Sequence, residues 1–125
     1  RFVLLKDRLW RCLRILIDIG IHSEGLSLEQ AADLLVTRLG FHRDQALGEL
    51  AWYSQSPAVP MGYATGWAMI NRLRQTVVPD TADIDALRDF HDRLLGAGSI
   101  ALPWVIERAF GQDLAVQVQQ GVFSA

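Results

Sequence analysis

Three histidines, one cysteine and a row of arginines are the residues of this sequence whose types could support chemistry. A catalytic zinc takes about three protein ligands, commonly two His one helical turn apart with a Glu beside them. His22, His42 and His91 stand far apart, and none has another His or Cys three or four residues away. The chain alone is therefore expected to hold no metal. It contains no Gly-rich phosphate loop and no serine in a G-x-S-x-G turn. Cys12 lies in an apolar helical pattern, which predicts an inert core thiol rather than a reactive thiolate.

Arg8, Arg11 and Arg14 recur at three-residue spacing, and Asp7 and Asp18 each lie four residues from one of them. Buried arginines must be paired, and a guanidinium fork suits a carboxylate. Intrahelical or interdomain salt bridges are one reading; the other is recognition of a substrate carboxylate by Arg11 and Arg14. His22 follows Gly20 by two residues and is either an imidazole held on a fixed turn for chemistry or a cap of the first helix. Tyr63 is either a ligand-facing phenol, reached over the bare flank left by Gly62 and Gly66, or a core tyrosine with its hydroxyl satisfied. His91-Asp92 reads as a helix brace, His42 as the cap of a third helix, and Trp10, Trp52, Trp67 and Trp104 as core or interface aromatics.

The elements that must position these residues follow from apolar periodicity. Phe2 to Ile19 carries Leu5, Leu9, Cys12, Leu13, Leu16 and Ile17 on one helical face, widened by Val3 and Trp10, which predicts a first helix buried on most sides and stopped by Gly20. Ser27-Leu28-Glu29-Gln30 has the form of a capping box, so a second helix is expected from about Leu28 to Leu39, with Gly40 as its stop. A third should run from about Arg43 to Tyr53, with Ala46, Leu47 and Leu50 inward. The fourth begins near Pro60 and runs to about Val77, with Ala58, Gly62 and Gly66 stripping one side of its start. A fifth is capped by Thr81 or Asp83 and continues to about Leu95, and a short sixth starts at Pro103 and ends near Gly111. The tail 112–125 reads as a fraying last helix. No segment alternates like a strand, so the fold class is all-α, about six helices in a single domain or fragment spanning 1–125.

Half the residues are apolar and 21% are charged, which is greasy for a small monomer and implies that part of the surface is covered by another surface. The opening at Arg1, running at once into a helical pattern, suggests a cut or processed start. A net charge of −2 with both signs mixed gives no basic stripe, so no nucleic-acid partner is expected. Arg8, Arg11, Arg14 and Asp18 interrupt the most apolar segment, which argues against a membrane span. A single cysteine fits a reducing compartment and slightly favours the cytoplasm.

The block Arg11-Cys12-Leu13-Arg14-Ile15-Leu16-Ile17-Asp18-Ile19-Gly20-Ile21-His22, followed by Gly25 and the helix start at Ser27 to Ala31, resembles a recurring block of domain-of-unknown-function family 885. The likeness continues in order through Tyr53 and Pro57, Tyr63 and Gly66, Ile70 with Leu73-Arg74, Phe90-His91-Asp92, Leu95, Gly98, Leu102-Pro103 and Glu107-Arg108. It covers about residues 8–108. Members of this bacterial family look like zincin-type metallopeptidases. The resemblance implies a zinc signature similar to H-E-x-x-P-G-H, with a later glutamate, upstream of these helices, so that zinc is expected only in that half. This chain would then be the C-terminal helical subdomain that closes a wall of a peptide cleft, with the metal half, another chain or a second copy as partner. In related zincins a late His or Tyr donates to the oxyanion, and the best matches are His22 and Tyr63. Tryptophan is usual where Leu26 stands, a Gly-Gln pair where Ala58-Val59 stand, and lysine where Ala64 stands. These departures near the expected cleft raise altered specificity, or a relative that binds as a non-catalytic interaction module.

Overall fold

The computed structural model describes residues 1–124, and every element among them is a helix. In order they are α1 (Phe2–Ser23), α2 (Leu28–Leu39), α3 (Arg43–Tyr53), α4 (Val59–Val77), α5 (Ile84–Gly96), α6 (Leu102–Phe110) and α7 (Gln112–Phe123). The all-α class stands, with the tail forming a seventh helix.

Local chemistry fixes most of these boundaries. At α2 the capping box forms as expected: the Ser27 hydroxyl accepts from the Gln30 amide, and the Gln30 side chain accepts from the Ser27 amide. Gly40 ends α2 at φ +66°, in the left-handed region that a glycine enters without a Cβ clash. Asp83, not Thr81, caps α5 by accepting from the Ala86 amide. His42 occupies the N-cap position of α3, but its side chain makes no capping bond.

Gly20 does not stop the first helix. α1 continues to Ser23, and the left-handed residue is Gly25 at φ +73°. Gly20 is buried inside the last turns, where a Cβ would stand 2.8 Å from Leu26 Cδ2. Its carbonyl accepts from both Glu24 and Leu26 amides. The glycine thus serves close packing of the returning chain rather than a left-handed turn.

The chain divides into two compact units, Arg1–Ala64 and Thr65–Ala125, each with its own core. In the first, α1 packs on α2 and α2 on α3 around Leu13, Ile17, Leu35, Leu50 and Tyr53. Arg43 at the start of α3 ties back to α2 through Glu29 and Asp33. In the second, α5 packs on α6 and α6 on α7 around Leu73, Phe90, Ile106 and Val118.

Burial departs from expectation on α1. Only Leu13, Arg14, Ile17, Asp18 and Gly20 of that helix are buried, while Cys12, expected in the core, is exposed. Leu47, expected inward on α3, is also exposed, and Tyr53 takes the inner position in its place. The apolar arc of α1 is wider than the strip that α2 and α3 cover.

Candidate functional site

The polar interior of the first unit is built from two short registers. Arg14, Asp18 and His22 recur every four residues along α1, and Glu49 and Tyr53 are one turn apart on α3. Residues at that spacing share a helix face, so two stripes meet in the middle of the unit.

Tyr53 is fully buried, and its hydroxyl accepts from Trp10 Nε1 at 3.0 Å and from Arg14 Nε at 2.8 Å. Arg14 Nη2 donates to Glu49 Oε2 at 3.2 Å. Around the guanidinium stand the rings of Trp10, Tyr63, Tyr53 and Trp52, with centroids 4.4, 5.1, 5.3 and 5.5 Å from its central carbon. A buried cation is tolerable only when paired and bonded, and four π faces with one carboxylate meet that demand. Burial pushes the Tyr53 phenol above its ordinary value of 10.0, opposed by the bonds from Trp10 and Arg14 and by the Arg14 charge. Tyr53 is thus a protonated strut rather than a phenolate.

His22 closes the other end. Its Nε2 lies 3.2 Å from the Tyr53 carbonyl oxygen and 3.4 Å from Asp18 Oδ1. A carbonyl oxygen only accepts, so Nε2 is the nitrogen that donates in this contact. Asp18 is only 2% exposed, and neither carboxylate oxygen makes a hydrogen bond. Its approach to His22 is an electrostatic contact outside hydrogen-bond geometry.

The expected pair Asp7 and Arg11 forms, with the guanidinium 3.6 Å from the carboxylate and bonded to the Asp7 carbonyl at 3.1 Å. The other expected pair does not, because Arg14 turns to α3 and leaves Asp18 to His22. Tyr63 on the first turns of α4 is 51% exposed with its ring near Arg14. A Cβ on Gly62 would meet no atom within 4 Å, whereas one on Gly66 would sit 3.7 Å from Leu102 Cδ2 of α6. The bare flank of α4 is thus open at Gly62 and used for packing at Gly66. His91 is exposed, its ring 5.3 Å from that of Phe90.

Among the described residues no three His, Cys, Asp or Glu side chains gather to hold a metal ion. Asp18 and His22 lack a third ligand, so these residues do not fit a zinc site. No helix among them is long and apolar enough to cross a membrane.

Residues 1–108 match the family described as bacterial protein of unknown function (DUF885). The chain belongs to this family. The match takes in both the Arg14 network and Tyr63, and it leaves all of α7 outside. No curated protein and no solved structure gives a significant match. Two residues of the matched stretch leave a mark on the local geometry. Ala58 has φ +67°, a conformation that favours glycine, and Leu26 covers Gly20. In the sequence, Tyr53, Glu49 and Asp18 do not stand out as site residues; the four-residue registers Arg14-Asp18-His22 and Glu49-Tyr53 are the available signal.

Proposed function

We propose that these helices form a wall of the substrate cleft of a zinc-dependent peptidase or amide hydrolase, the zinc and its ligands coming from outside residues 1–125. The observation that carries the reading is Tyr63: a half-exposed phenol whose ring rests by a guanidinium already fixed by Tyr53, Glu49 and Trp10. Such a phenol has a rigid base, and Gly62 beside it adds no side chain. A neutral O–H donor strengthens its bond as negative charge grows on a carbonyl oxygen under attack, and losing one such donor costs about 3 kcal/mol of transition-state stabilisation. His22 is the companion residue: its Nε2 is held by the Tyr53 carbonyl, so only Nδ1 is left to face the substrate, and it donates to the oxyanion in the form in which that nitrogen carries a proton. Arg11, about a third exposed, is the guanidinium placed to meet a substrate carboxylate, while Arg14 acts by holding Tyr63. Gly62 keeps the start of α4 low enough for a peptide backbone to approach, while Gly66, the other glycine of that flank, packs on Leu102.

The test is kinetic, in the complete enzyme that contains these helices. Tyr63→Phe should lower kcat and kcat/KM together by about a hundredfold at unchanged KM and zinc content, the pattern of an interaction made in the transition state. Full turnover in Tyr63→Phe would remove the phenol from the reaction. A second reading, a non-catalytic interaction module, draws support from the exposed apolar residues of α1.

A further inference from the structure

Phe2, Leu5, Leu9, Cys12, Leu16 and Ile19 lie on one line along α1, spaced alternately three and four residues apart. All are exposed, the five hydrophobics by between 39% and 78%. The line runs beside the strip that Leu13 and Ile17 bury, so it is surplus to the core of its own unit. Alternation of three and four is the a and d pattern by which one helix receives another in knobs-into-holes packing. From Phe2 to Ile19 the seam is about 26 Å long at ~1.5 Å rise per residue.

The seam has relief and a charge. Near its N-terminal half, Phe2, Leu5, Lys6, Leu9, Arg38 and Leu39 line a groove of about 360 Å³ between α1 and the end of α2. Its ionisable walls, Lys6 and Arg38, are both basic. The nearby carboxylates are committed elsewhere: Asp7 to Arg11, and Glu29 and Asp33 to Arg43. A second copy laid parallel on this seam would bring Lys6 and Arg38 against their own counterparts, and like charges at those positions select against that pairing. A lipid surface asks for a flat apolar face, whereas this one is a groove with walls from two helices.

We propose that the α1 seam is a docking site for an amphipathic helix with an apolar a/d stripe and acidic flanks. The proposal stands whether or not the chain belongs to a peptidase cleft. Apolar knobs enter between Leu5, Leu9 and Leu39, and the partner's carboxylates meet Lys6 and Arg38.

Cys12 is the chain's single cysteine and lies at the middle of the seam, so its rate of maleimide modification reports occupancy directly. The probes are two synthetic helices of about three heptads with leucine at a and d, one carrying glutamate and the other lysine at the flanking positions. The acidic peptide should slow Cys12 modification by about tenfold or more, with added salt weakening the effect, and the basic peptide should leave the rate nearly unchanged. Leu9→Asp should abolish the protection while the helical circular dichroism is retained. Should that variant not fold, Lys6→Glu with Arg38→Glu serves instead and should reverse the preference toward the basic peptide. Equal protection by both peptides, or none by either, overturns the proposal. So does protection that rises with protein concentration alone, which would mean a second copy, or protection by anionic phospholipid vesicles but not by the acidic peptide.

Discussion

Replacing Tyr53 by phenylalanine removes one oxygen from the centre of the first unit while keeping its fully buried ring in place. That oxygen accepts from Trp10 at 3.0 Å and from Arg14 at 2.8 Å. A neutral hydrogen bond contributes about 1 kcal/mol net and one to a charged group about 1.5–3, while a buried donor left without a partner keeps its desolvation cost. Removal of a buried hydroxyl that itself had to be desolvated offsets part of the loss. The sum is a destabilisation of about 2–3 kcal/mol, small enough that a domain stable by roughly 5–15 kcal/mol stays folded at room temperature. Urea unfolding followed by tryptophan fluorescence suits the question, since Trp10 is bonded to Tyr53 and Trp52 lies 5.5 Å from its ring. Tyr63→Phe is the control: half exposed, it should change stability by less than about 0.5 kcal/mol. A loss below about 0.5 kcal/mol in Tyr53→Phe would show that the Arg14 network is not what holds α1 to α3.

The same phenol gives a pH dependence. Its folded pKa is raised from 10.0, so its contribution is complete below pH 10 and is lost as pH climbs from there through the folded value; wild-type stability should fall more steeply above pH 10 than that of Tyr53→Phe, and parallel curves would refute the shift. Asp18→Asn exchanges a buried carboxylate without hydrogen bonds for a neutral amide and should raise stability by about 1 kcal/mol, measured by thermal melting; a loss would mean that the carboxylate is held by more than His22. Ala58→Gly places a glycine at φ +67° and should stabilise by about 1 kcal/mol, whereas an unchanged or lower melting temperature would argue against that backbone conformation.

Where a helix end is decided by its own neighbours, the sequence is a sufficient guide. Ser27 and Gln30 start α2, Gly40 stops it, and α3 spans Arg43–Tyr53, all as the local pattern predicts. Gly20 misleads because a glycine serves either a left-handed turn or a close approach, and only the path of Leu26 over it distinguishes the two. Arg14 misleads for a related reason. Asp18 stands at the favourable spacing on the same helix, yet Tyr53 and Glu49 arrive from α3, some forty residues later in the chain, and win the guanidinium with buried bonds. Periodicity marks Cys12 as apolar, but it cannot say which part of a wide apolar arc the core will use; here that part is Leu13 and Ile17.

The central claim, that Tyr63 donates to a transition-state oxyanion, is tested most directly with a phosphonate peptide, whose tetrahedral anion imitates the carbonyl carbon under attack. In the complete enzyme, Tyr63→Phe should weaken inhibition by that compound by about a hundredfold, in proportion to the fall in kcat/KM, while KM for the parent peptide is unchanged. Equal inhibition of wild type and variant would contradict the account and leave α4 as a scaffold alone.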